Sequence, residues 1–273
     1  MPVRVSIAGK SHRPDLDRPL CLAVGLDFHG PQPRHFGAPT ATADTLEQDG
    51  FVGDTRRGGS CNVHEVRLVP HCNGTHTECV GHIVDDRVAV HDVLLRTHHP
   101  AAVVTLAPTP AREADETYRP PPDPDDLMVT GAALEGALGG VPDDALAAVV
   151  IRTLPNPPEK RFSDHGAGKA APYLSVEAVR DLTARGVRHP LVDFPSLDRT
   201  QDEGLQTAHH LFWNVAEGGH ALSAETRTEK TVTEMIYVPD EVEDGLYLLD
   251  LQIAPFLSDA APSRPLLFPL EPL

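Results

Sequence analysis

The chain has 273 residues, 40% apolar and 23% charged, a globular composition that excludes a disordered chain or a fibre. Lys and Arg number 23 against 40 Asp and Glu, a formal charge of −17, which argues against nucleic acid or an anionic membrane as the main partner. No run approaches the length of a membrane span and the N-terminus lacks a signal-peptide core, so a soluble, cytoplasmic protein is expected.

Four cysteines are too few for a disulfide scaffold and point to free or metal-associated thiols. With 27 Pro and 21 Gly, many short elements with tight connections are expected. VRVSIAG and CLAVGLDF read as short buried strands near the start. Gly30–Gly50, poor in large apolar side chains, reads as a surface excursion, and residues 30–60 as a lid or active-site loop. Cys61–Val69 alternates as a half-buried strand does, and Pro70 ends it. Val88–Leu95 and Ala101–Leu106 are short apolar runs. Residues 112–127 form a Pro-rich loop, RPPPDPDDL at its end, inside one domain spanning 1–273.

Ala132–Leu138 suits a short helix closed by Gly139 and Gly140, and Ala145–Thr153 a buried strand. Ser175–Arg185 is the clearest helix: Ser175 caps it, Val176, Val179 and Leu182 share a face, and Gly186 stops it. A strand at LVDF follows. TVTEMIYV and GLYLLDLQIA read as two strands joined by PDEVED, a solvated hairpin loop.

The chemistry concentrates at residues 61–82, which hold His64, His71, His76, His82, Cys61, Cys72, Cys79, Glu65 and Glu78. In an extended chain alternate side chains share a face, so Cys72, His76, Glu78 and His82 would offer S, N, O and N donors to one ion. His71 would join only through a bulge at Asn73 and Gly74. His76 and Glu78 together are costly to bury for structure alone, whereas Cys79 reads as structural. Two other readings are weighed. One is a non-catalytic, structural zinc module, Cys61 and His64 with Cys79 and His82. The other is a non-haem iron oxygenase site using His76, Glu78 and a distal His209 or His210.

The string PHCNGTHTECVGH (Pro70–His82) resembles the signature of the cyclase family, which includes kynurenine formamidases and isatin hydrolases: His-x-Gly-Thr-His-x-Asp-x-Pro-x-His. LVDFPSLD, AHHLFW, TEMIY and DAAPSRPLLF follow in the family's order. The resemblance implies an α/β fold of the swivelling β/β/α type, with mixed sheets and short helices. It implies a homodimer or homotetramer, one or two Zn2+ or Mn2+ ions per chain, and hydrolysis of an amide-type C–N bond in a small molecule. Carried over, His76, Glu78, His209 and Glu234 are metal ligands and His82 the catalytic acid/base. Three positions depart from the pattern: Cys72 stands at its first His with His71 one place early, Glu78 at its Asp, and Val80 at its Pro. Either Cys72 or His71 then completes the ligand set, and one ion could be lost. Phe28, Phe36 and Trp213 are candidate substrate contacts, and Thr75, Asp193, Ser196 and Asp198 candidate partners of the ligands. The substrate is left open among aryl formamides, cyclic amides or imides and lactone-type rings, as is the direction, hydrolysis or ring closure.

Overall fold

The structure, a computed structural model, describes residues 3–7, 9–165 and 171–273. One mixed sheet of eleven strands organises it. At its centre lie four parallel strands, His98–Leu106, Ala148–Thr153, His189–Val192 and Thr231–Glu234, neighbours in that order. Their Ala, Val, Ile and Leu runs lack a polar face because both faces are covered. Ala102, Val104, Val149, Ile151, Val192 and Val232 point to one side; Ala101, Val103, Ala148, Val150 and Leu191 point to the other.

Four helices are described: α1 (Val90–Val93), α2 (Gly131–Leu138), α3 (Val176–Ala184) and α4 (Thr207–Trp213). Leu134 and Leu138 of α2, Val179 and Leu182 of α3, and Phe212 of α4 pack on the first face of the sheet. The α3 reading holds in detail, with Ser175 Oγ accepting from Ala178 N and Gly186 leaving at φ +75°. Gly131 is where α2 meets α3: a Cβ there would lie 2.9 Å from the Glu177 carbonyl carbon.

Beyond Thr231–Glu234 the sheet continues antiparallel through His76–Cys79 to the edge strand Ala260–Pro262. On the other flank, Gly245–Asp250 and Leu266–Pro272 extend it antiparallel, followed by Lys10–Pro14 and Val5–Ile7. TVTEMIYV and GLYLLDLQIA therefore do not form the expected hairpin. The first pairs with His189–Val192 and His76–Cys79, the second with His98–Leu106 and Leu266–Pro272.

Three local expectations also change. CLAVGLDF contributes only Cys21 to a strand, the two-residue Leu20–Cys21. The Val88–Leu95 run holds α1. In Cys61–Val69 only His64–Arg67 is extended, and it is exposed throughout, paired with Thr42–Thr45 in a separate two-stranded ribbon. The alternation there has no core beneath it.

Leu182→Ala should cost about 2–5 kcal/mol, because it empties a fully buried position between α3 and the sheet. Urea unfolding of the variant beside wild type measures it.

Candidate metal centre

The His76–Cys79 strand is buried along its length, and its alternation sends His76 and Glu78 to one face. Register sets their neighbours: His76 lies directly opposite Glu234 on one side, and Glu78 opposite Ala260 on the other. His76 Nε2 stands 3.3 Å from Glu234 Oε2. Its Nδ1 meets the Gly74 carbonyl at 3.0 Å, which assigns the proton to Nδ1 and leaves the Nε2 lone pair facing the site. That Nε2 is buried and makes no hydrogen bond among the described residues. After Glu234 the chain turns away at Met235 with φ +56°, its carbonyl held by Thr75 Oγ1 at 2.7 Å.

His209 enters from α4. Its Nε2 lies 2.7 Å from Glu78 Oε1 and 3.6 Å from Glu234 Oε1, and its Nδ1 is held by Asp198 Oδ2. Asp198 also receives the backbone N–H groups of Ala208 and His209, so it caps α4 and orients the imidazole at once. Leu197 N donates to Glu234 Oε1 at 2.8 Å.

The other oxygen of Glu78 faces His71, with Nδ1 to Oε2 at 2.7 Å. His71 Nε2 is 2.6 Å from Asp259 Oδ2. A tight turn brings it there: Cys72 N and Asn73 N both donate to Val69 O at 3.0 Å, and Gly74 follows at φ +96°. The segment before His76 is thus not extended, and the expected single face of Cys72, His76, Glu78 and His82 does not exist. Cys72 lines the cavity above the cluster but belongs to none of the ligand groups found among the described residues. His82 arrives through the helical turn Val80–His82. Its ring stacks on His71 at 4.2 Å, with Nδ1 3.6 Å from Asp259 Oδ2 and Nε2 3.0 Å from Gln206 Nε2.

Burial alone would raise the Glu78 pKa, but the imidazoles of His82 and His209 hold it well below the ordinary carboxylate value. Burial opposes charge on His209, yet Asp198 and Glu78 raise its pKa well above normal. Burial likewise opposes a charged His71, and hydrogen bonds to Asp259 and Glu78 nonetheless raise it to about 10. Burial and the nearby Glu234 charge raise the Cys72 pKa, which favours the thiol over the thiolate.

Three groups of side chains among the described residues have donor atoms within 4.8 Å of one another and could each hold a divalent cation: Glu78 with His209 and Glu234, Glu78 with His71 and His76, and His71 with His82 and Asp259, the last only partly buried. Glu78 is common to the two buried groups. Two buried carboxylates facing an imidazole nitrogen without a hydrogen bond are an unfavourable arrangement without a cation between them. The mixed N/O donor set fits zinc or manganese.

Above the cluster lies a cavity of about 260 Å3, with His35 and Phe36 on one wall and Pro195, Ser196 and Gln206 on another. Of the three aromatic side chains expected at the substrate, only Phe36 lines it. Phe28 is half-buried and does not line it. Trp213 is fully buried, donating Nε1–H to Lys230 O at 3.0 Å and backing the His209 ring at 5.3 Å. His210 faces a separate groove. Asp193 is engaged by Thr153 and Lys160. Cys61 and His64 are exposed and join no ligand group among the described residues, which leaves the structural zinc reading without a site. Asp259 and Gln206 were not legible as site residues: Asp259 meets His71 across 188 positions of sequence.

The fold is thus a mixed α/β sheet with a buried His/Glu cluster where the parallel strand Thr231–Glu234 meets the antiparallel strand His76–Cys79. The Cyclase family model matches residues 15–199, and the chain belongs to that family. It is 26% identical over 216 residues to the kynurenine formamidase of Bacillus cytotoxicus, covering 78% of this chain and 83% of that protein. Its fold is similar to isatin hydrolase A from Labrenzia aggregata (TM-score 0.64, 18% identity, 93% of this chain and 94% of that one). It is similar too to a potential metal-dependent hydrolase with cyclase activity (TM-score 0.61, 16% identity, 93% and 99%).

The raised His71 pKa has a pH consequence for the metal-free protein. Its contribution to stability is complete below an unfolded value of about 6.5 and is lost as pH rises through about 10. Unfolding free energy of chelator-treated protein should therefore fall across that interval, and less steeply in His71→Gln; equal slopes would exclude His71 as a contributor.

Proposed function

We propose that this protein is a metal-dependent hydrolase of an amide-type C–N bond, in an aryl formamide or a cyclic amide or imide. The observation that carries this reading is the Glu78 carboxylate shared between two donor groups beneath a small cavity. The similarity to a kynurenine formamidase supports it. We further propose a cytoplasmic homodimer or homotetramer acting on a small molecule, with no nucleic-acid or membrane partner and residues 30–60 as a lid.

His76, Glu78, His209 and Glu234 would hold one or two zinc or manganese ions, with His71 rather than Cys72 completing the set because His71 reaches Glu78. A bound divalent ion supplies polarisation of the substrate carbonyl and lowers the pKa of water towards 7. His82 takes the proton of the attacking water and returns it to the leaving nitrogen, which turns an amide anion into a stable leaving group. Asp259 and Gln206 flank the His82 ring and hold its orientation. Phe36, largely exposed at the cavity rim, packs over the substrate ring.

Elemental analysis of purified, untagged protein tests the centre. One or two zinc or manganese ions per chain are expected in wild type and in Cys72→Ala, with the metal lost in Glu78→Ala. Iron together with oxygen consumption would replace this reading with the oxygenase. His82→Ala should reduce turnover of an N-formyl aryl amine or a cyclic amide by roughly 10²- to 10⁴-fold while keeping the metal; loss of the metal would make His82 a ligand.

A further inference from the structure

The Pro-rich segment 112–127 supplies none of the cluster's donor atoms, yet one of its side chains reaches it. Tyr118 is buried, its hydroxyl 2.6 Å from Asp198 Oδ1 and 3.1 Å from Arg199 N. A backbone N–H can only donate, so the hydroxyl accepts from Arg199 and its own proton goes to Asp198. The second Asp198 oxygen holds His209 Nδ1, and His209 Nε2 meets Glu78. Tyr118, Asp198, His209 and Glu78 thus form an unbroken hydrogen-bonded line from the loop to the centre of the cluster.

The loop end of that line is itself fixed. The Arg199 guanidinium spans Asp126 and Asp123, the latter at 2.6 Å, and Thr207 Oγ1 at the start of α4 donates to the Arg119 carbonyl at 2.6 Å. Beside Tyr118 lies a second phenol that makes no such connection. The Tyr173 ring packs edge-on at 4.8 Å and is fully buried, and its hydroxyl has no hydrogen-bond partner among the described residues.

We infer that Tyr118 is a positioning residue of the site: its hydroxyl fixes the rotation of the Asp198 carboxylate, which holds His209 with Nε2 aimed at the cluster. Asp198 serves three donors besides Tyr118, two of them α4 amides. Without the phenol, the carboxylate is free to rotate towards those amides and loosen its hold on Nδ1. Partners beyond the ligands typically change metal affinity by 10- to 100-fold. The inference rests on His209 being a metal ligand, as proposed above.

Tyr118→Phe and Tyr173→Phe delete one hydroxyl each from adjoining buried rings, and the full-length variants are compared in two ways. Zinc affinity, by competition with a chelator, should weaken roughly tenfold in Tyr118→Phe and stay at the wild-type value in Tyr173→Phe. The downfield Nδ1 proton resonance of His209 in the metal-free protein should move in the first variant only. Equal effects of the two variants, or wild-type behaviour of Tyr118→Phe in both measurements, would overturn the inference. Failure of wild type to bind a divalent metal would instead overturn the functional reading, with the metal-free resonance still deciding the role of Tyr118.

Discussion

The Glu78 carboxylate is the constraint around which the rest is arranged. It is almost completely buried, with one oxygen 2.7 Å from His209 and the other 2.7 Å from His71. A charge at that depth is tolerable only when both oxygens are satisfied. The two satisfying imidazoles come from opposite directions, one from a helix and one from a turn. Each is in turn held by a second carboxylate, Asp198 or Asp259. The strand is thus the axis of an alternating line of carboxylates and imidazoles, with His76 and Glu234 closing its remaining side.

The sheet makes this alternation possible. Parallel strands end together, so Glu234 at the end of one and the loop leading to Asp198 after another open on the same side. In open α/β sheets this is the side on which ligands gather. The antiparallel His76–Cys79 strand runs back against Glu234, which sets two chemically active residues face to face without any loop. Helices α2, α3 and α4 cover one face of the sheet and, through α4, also present His209 to the cluster.

Much of this was legible from local pattern. His76 and Glu78 announce themselves by alternation in a dense cluster, and α3 by its cap, stripe and stop. Each of those signals lies within a few residues. What escaped depends on tertiary placement. His71 enters through a turn whose hydrogen bonds converge on the Val69 carbonyl, and strand periodicity misassigned Cys72 to its face. Trp213 follows His209 in sequence as a pocket aromatic would, but helical geometry sends it behind the imidazole. Asp259 opens the DAAPSRPLLF stretch, where nothing local marks it as a partner of His71, and Tyr118 reaches the cluster only through Asp198, from a segment that carries no motif. The expected hairpin failed for a related reason: adjacent strand-like runs need not be adjacent strands when each has a better partner elsewhere.

The His76–Cys79 strand is flanked on both sides by strands from the last quarter of the chain, and Cys79 N is tied to the Asp259 carbonyl. On a ribosome, residues 61–82 therefore emerge long before the strands that enclose them. During that interval the thiols and imidazoles of the segment stand without the carboxylate of Glu234 or the helix of His209 that later surround them. The cluster of Glu78, His209 and Glu234 is therefore assembled only when the last strands and α4 close over the segment, so it is a product of the finished fold and not of the local motif.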